Sequence, residues 1–222
     1  MRLALCAAVL IGIVALAEGQ TNGTVLTSSE IQEPHRMRRP VAVEARNWLG
    51  LRILEDGSRV ERVQVSWTGS VGPEDSVFTL SVEPPAPALL LADVPQVSVG
   101  PAVTLNQYEL PLSSGAPLSF VLGSYHYTLA LNGTAPTLCD ATVTIEDGTL
   151  SQELYFPDEE MFSCGEPHFS VQWAGDLDGD GKLDLVSTFS PKYSYYPRRL
   201  FLSSAAPEGK LVGLVAVFEG AA

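Results

Sequence analysis

The sequence predicts a mainly β fold, a sandwich or barrel-like domain with a C-terminal β-hairpin whose turn is a run of acids. Three observations lead there. Short runs rich in valine, threonine and aromatic residues recur along most of the chain, and such residues suit a pleated, half-buried surface. The 19 glycines and 16 prolines punctuate those runs and supply the turns that end strands after a few residues. No stretch keeps apolar residues at helical spacing over three turns behind a cap, so no long helix is expected.

Arg2 precedes an uninterrupted apolar run from Leu3 to Leu16, and Ala15-Leu16-Ala17 forms an A-x-A cleavage pattern. Residues 1–17 therefore read as a secretory signal peptide, too short for a comfortable membrane span. Cys6 would leave with it. Residues 18–40 are polar, lack an apolar period and carry the basic cluster Glu33 to Pro40, so they read as a flexible linker. A single β-rich domain is expected over 41–222, with a subdomain boundary near 160 as the alternative division. At 45% hydrophobic residues that length can bury a core.

The strand signals begin at Trp48–Leu54 and resume at Arg59–Trp67. Glu55-Asp56-Gly57-Ser58 lies between them, and Asp-Gly between two such runs signals a hairpin. Val77–Val82 follows and is broken by Pro84, Pro85 and Pro87. Shorter strands are expected at Gln96–Val99, Val103–Leu105, Leu118–Leu122, Tyr125–Leu131, Ala141–Ile145 and Leu150–Phe156. Phe169–Trp173, Leu183–Phe189, Leu200–Leu202 and Leu211–Phe218 complete the pattern, with the acid-bearing hairpin at 169–190. Ala88–Ala92 is apolar, but Asp93 and Pro95 end it, so no span follows the leader.

The formal net charge is −13. Such a surface repels phosphate backbones, which argues against a nucleic-acid partner. It suits divalent cations and a secreted or periplasmic location. Removing the leader leaves Cys139 and Cys164. An even count in an oxidising compartment reads as one disulfide, with two buried free thiols as the alternative. Neither cysteine has a close partner at zinc-site spacing.

The acids of the hairpin turn are Asp176, Asp178, Asp180 and Asp184, at loop positions 1, 3, 5 and 9 of Asp176-Leu177-Asp178-Gly179-Asp180-Gly181-Lys182-Leu183-Asp184. Calcium is a hard cation that takes six to eight oxygens, and alternating carboxylates on a tight turn can converge on it. Gly181 permits the sharp bend, and Lys182 can offer its backbone carbonyl. An EF-hand would need a Glu at position 12 and a following helix. That position holds Ser187, and the residues after the loop alternate as a strand. A phosphate loop would need Gly at 176 and Ser or Thr at 183, where Asp176 and Leu183 stand. Magnesium fits less well, because it prefers a smaller octahedral shell with waters retained.

Together with the preceding Phe169–Trp173 strand and the apolar residues after it, Ala174 to Val186 resembles the FG-GAP and VCBS-type calcium loop of integrin-like propellers and many secreted bacterial proteins. The match is the D-x-D-x-D-G-x-x-D pattern, present here as a single copy. The resemblance implies Ca²⁺ held by Asp176, Asp178, Asp180 and Asp184 with the Lys182 carbonyl. Asp158-Glu159-Glu160 is a further acidic turn that could add a ligand.

No G-x-S-x-G, H-E-x-x-H or G-x-G-x-x-G occurs, so no enzyme is expected. The leading reading is an exported β-protein in which calcium is structural. One alternative is a calcium-dependent module binding a glycan or cell-surface protein through Tyr193, Tyr195, Tyr196, Arg198 and Arg199, which join aromatic and basic groups. Another is a secreted hydrolase using His126, which Asp140 could in principle approach; hydroxyl-rich segments near Ser113, Ser187 and Ser203 offer serines but no evident base. Asn22-Gly23-Thr24 and Asn132-Gly133-Thr134 are glycosylation sequons.

Overall fold

The computed structural model describes residues 23–32, 35–37, 47–71, 76–134, 137–155 and 164–221. The leader, Asn22, Asp158-Glu159-Glu160 and the boundary near 160 lie outside them. Strands make up 61% of the structure and helices 4%, so the fold is mainly β as the sequence predicts. The first elements are β1 (Thr24–Thr27), α1 (Ser28–Gln32), β2 (His35–Met37), β3 (Trp48–Leu54), β4 (Gly57–Arg62), β5 (Gln64–Val71) and β6 (Ser76–Glu83). Next come β7 (Leu89–Ala92), β8 (Gly100–Asn106), β9 (Leu110–Pro111), β10 (Leu118–Leu122), β11 (Tyr125–Asn132), β12 (Thr142–Glu146) and β13 (Ser151–Tyr155). The last are β14 (His168–Asp176), β15 (Asp184–Ser190), β16 (Tyr195–Leu202), a 3-10 turn (Ser203–Ala205) and β17 (Gly213–Ala221).

Nine antiparallel strands form a nearly closed barrel in the order β1-β7-β3-β4-β8-β14-β15-β16-β17. The seam closes where Gly23 bridges Ala216 in parallel and the Val217 N–H donates to the Gly23 carbonyl at 3.1 Å. A Cβ on Gly23 would lie 2.5 Å from the Val215 carbonyl oxygen, so only glycine lets the two backbones approach this closely. Strands β2, β6 and β5 continue from the far end of β17. A separate meander, β10-β11-β12-β13, covers another side.

Three apolar clusters follow from this layout. The barrel interior holds Val25, Leu51, Leu91, Trp173, Val186 and Leu200. Phe120, Leu129 and Ile145 of the meander pack on Phe169, Leu185 and Phe189, from the opposite face of β14 and β15. Leu26, Trp48, Leu80 and Leu90 form the third, beneath the β5–β6 pair.

Thr24–Thr27, read from the sequence as part of a polar linker, is a strand buried along its whole length. Val25 enters the interior cluster and Leu26 the outer one. Leu89–Ala92 is likewise a strand covered on both faces, between β1 and β3. A strand buried on both sides shows no alternation in its sequence. The run Arg59–Trp67 is interrupted at Val63, whose N–H donates to the Trp48 carbonyl at 3.2 Å. The chain there leaves the barrel to run beside β6. Gln96–Val99 is not a strand but part of the irregular connection from β7 to β8.

The ends of the barrel differ. The hairpin turn 177–183, the Ser203–Ala205 turn and the 93–99 connection share one end, set by the registers Asp176↔Val103, Gly175↔Asp184 and Leu202↔Gly213. At the other end α1 follows β1. Its Glu30 accepts from the Thr27 N–H at 2.7 Å, the reciprocal half of a capping box.

Candidate metal centre

The acidic turn joins β14 to β15. Leu177 and Leu183 flank it, and both are buried, in the barrel interior and the meander core respectively. Anchored on two cores, the intervening residues 178–182 must turn within a short span. Gly179 (φ 83°) and Gly181 (φ 80°) supply the left-handed conformations that other residues resist. On the approach, a Cβ on Gly175 would lie 2.0 Å from the Val103 carbonyl oxygen, so β8 packs against bare backbone there.

The carboxylates organise the turn through its own N–H groups. Asp176 accepts from Gly179 at 2.7 Å and from Gly181 at 2.9 Å. Asp180 accepts from the Lys182 N–H at 2.9 Å. Asp184, fully buried, accepts from the Leu177 N–H and the Ser203 N–H, both at 2.8 Å. Asp176, Asp178 and Asp184 each bring a carboxylate oxygen within 4.8 Å of the others. Asp180 stands outside that trio: the Ser203 hydroxyl lies 2.9 Å from both of its oxygens. Lys182 is exposed.

Electrostatics follow from this crowding. Burial pushes the Asp184 carboxyl up from 3.8 to about 7, against the two N–H groups that favour its anion, and the Asp178 charge adds to the rise. Asp178 is also raised, chiefly by burial, with the Asp180 and Asp176 charges contributing and the Ser204 hydroxyl opposing. Among the described residues no lysine, arginine or histidine forms an ion pair with any of the four aspartates. A cation held by oxygens would relieve this repulsion.

Ser203 and Ser204 are the participants that sequence reasoning missed. The Ser204 hydroxyl donates to Asp178, as Ser203 does to its neighbours. They arrive from the β16–β17 connection, so no spacing within the loop could announce them.

The two cysteines are joined, with Cα atoms 5.6 Å apart. The bond ties the β11–β12 connection to the segment entering β14. Of the tyrosine–arginine set, Tyr196 and Arg198 are brought together, while Arg199 turns to the other face. Arg198 faces the barrel interior, with its Nε and Nη2 each 2.8 Å from Glu30 Oε1 and its guanidinium carbon 5.5 Å from the Tyr196 ring centre. Arg199 points to the opposite face and donates to the Phe189 carbonyl at 2.8 Å. Tyr193 is exposed and Tyr195 half-buried. Along the strands, Arg199 and Arg198 stand opposite Ser187 and Thr188, about 10–14 Å from Asp184 at strand rise, and the three tyrosines lie farther from the acidic turn.

His126 stands on the exposed face of β11 opposite Val121. Asp140 does not approach it. It accepts from the Thr134 N–H at 2.8 Å and the Thr134 hydroxyl at 2.6 Å, beyond the other end of β11. A second serine–histidine–carboxylate set exists, Ser170, His168 and Glu109. Both contacts converge on one nitrogen, His168 Nε2, at 3.0 Å from Ser170 and 2.8 Å from Glu109. A catalytic relay uses the two ring nitrogens separately, so this set is not arranged as one. Ser187 Oγ is buried without a hydrogen-bond partner among the described residues.

Among the described residues no helix is long and apolar enough to cross a membrane. Comparison with protein-family models, with curated proteins and with solved structures returns no match.

Proposed function

We propose that the chain is an exported β-protein in which one Ca²⁺ ion, held by the Asp176–Asp184 turn, is structural. The observation that carries this reading is the fully buried Asp184 carboxyl, grouped with Asp176 and Asp178 within 4.8 Å and, among the described residues, without a cationic side chain paired to it. The donors are all oxygen, which suits a hard cation. Asp176, Asp178 and Asp184 would hold the ion, with Asp180 and the Lys182 carbonyl completing the shell once Asp180 turns from Ser203. The ion would supply charge neutralisation at the place where β14, β15 and the Ser203–Ala205 turn meet. Export is supported by the leader-like first 17 residues and is compatible with the Cys139–Cys164 bond.

The test is thermal unfolding of the chain from Glu18, with EDTA and with added calcium, beside Asp178→Ala and Asp180→Ala. Binding to the folded state alone stabilises by about 2.7 kcal/mol at a hundredfold excess over Kd. Calcium should raise the midpoint of the parent protein and leave both variants unchanged. No shift in the parent, together with no heat on direct calcium titration, would overturn the reading.

A further inference from the structure

The barrel is open at the end that carries the acidic turn. A cleft of about 1360 Å³ lies there, lined by residues of β3, β4, β7, β17 and the 93–99 connection. Barrel mouths are among the places where small-molecule sites form.

Its lining has two parts. The floor is apolar: Leu49, Leu91, Val97 and Leu214 face it, and the first three belong to or pack on the barrel-interior cluster. Among the described residues the rim carries one cation, Arg62, with Asn47, Gln96 and Asp93. Arg62 breaks the pattern of its strand. Val60, two residues earlier, is buried inside the barrel, and Arg62 pairs with the inward-facing Leu49. By strand alternation the guanidinium therefore projects over the barrel mouth, where an apolar side chain would extend the core. Arg62 forms no hydrogen bond or ion pair among the described residues, whereas Asp93 is already engaged.

We propose that this cleft binds a small amphiphile with an anionic head, of the alkyl carboxylate class, its chain on the Leu49–Leu91–Val97–Leu214 floor and its head at Arg62. A planar, always-charged guanidinium matches a carboxylate geometrically. Among the described residues no aromatic ring lines the cleft, so they offer no platform for sugar stacking. The protein's net charge of −13 opposes long-range attraction of anions, so the chain must provide most of the affinity and Arg62 the selectivity. None of the four turn aspartates lines the cleft, so the site does not rest on the calcium reading.

The test is calorimetric titration of the chain from Glu18 with decanoate, octanoate and decyltrimethylammonium, each below its micelle concentration. Decanoate should bind saturably at one site. Octanoate should bind about fifteenfold more weakly, at about fourfold per methylene. The cationic amphiphile should bind at least about tenfold more weakly than decanoate. Arg62→Gln should erase the preference for the anion while leaving the melting temperature unchanged. Leu214→Gln, a change at a partly exposed position, should weaken decanoate binding with the fold intact. Equal affinity for the two head groups, no saturable binding, or parent-like binding by both variants would overturn the proposal.

Discussion

Ser203 donates its backbone N–H to Asp184 at 2.8 Å across 19 residues of chain, and its hydroxyl lies 3.1 Å from the same carboxylate oxygen. That hydroxyl is also 2.9 Å from both oxygens of Asp180. It has one proton for three acceptors. A proton on Asp184 relieves the excess of lone pairs, and so does a cation.

The two are therefore expected to compete. Asp184 holds its proton up to about pH 7 in the folded chain and releases it near 3.8 when unfolded. The folded state thus binds more protons between those values, and this group's contribution to calcium-free stability falls as pH rises through that window. Calcium must displace the proton, so its affinity should rise by up to about tenfold per pH unit below 7 and level off above. Titrations at pH 6 in buffers of different ionisation heat should show about one proton released per calcium, against almost none at pH 8. Equal release at both would separate Asp184 from the metal.

Arg198→Ala should destabilise the fold by about 3–5 kcal/mol, because it strands Glu30 in the interior. The side chains of Arg198 and Glu30 are only 12% and 0% exposed. Replacing both, as Arg198→Met with Glu30→Gln, should cost far less than the single change. Urea unfolding of the three proteins checks this.

Glu109 sets an acid limit. Its hydrogen bond with His168 lowers its carboxyl from 4.5 to about 2. The carboxylate's contribution to stability is present above pH 4.5 and is lost as pH falls toward 2. The pair is half-exposed, so the effect is small and should shrink in salt. Glu109→Gln should flatten the melting temperature's decline between pH 4.5 and 2, and an unchanged slope would count against the assignment.

Replacing Cys139 and Cys164 together by serine should lower stability by about 2–4 kcal/mol. The bond closes a loop across a sequence separation of 25, for which chain entropy gives about 3.5 kcal/mol. Differential scanning calorimetry, with the oxidised parent as reference, provides the measurement.

Local chemistry made much of this legible. Strands β10 and β11 start where the alternation of Leu118–Leu122 and Tyr125–Leu131 places them, and the Asp56-Gly57 turn closes β3 on β4 with Leu54 opposite Gly57. The aspartate and glycine spacing located the turn, because its bend is set by consecutive residues. What long-range pairing decides was not legible. Thr24–Thr27 has only two apolar residues and becomes a buried strand because β7 and β17 stand on either side of it. From the sequence, Arg198 reads with Tyr193, Tyr195, Tyr196 and Arg199 as part of a possible binding surface, but Glu30, distant in sequence, draws its side chain inward. Ser203 joins the acidic turn only once β16 has folded back along β15.

The seam between Gly23 and Ala216 has a consequence for how the molecule is made. It joins a residue near the start of the described chain to one near its end, among the costliest loop closures the sequence offers. A growing chain can build the Trp48–Arg62 hairpin or the four-stranded meander early, since both are local. The ring cannot shut until β17 has emerged from the ribosome, so β1 waits for its partner on that side while all the strands between them are made.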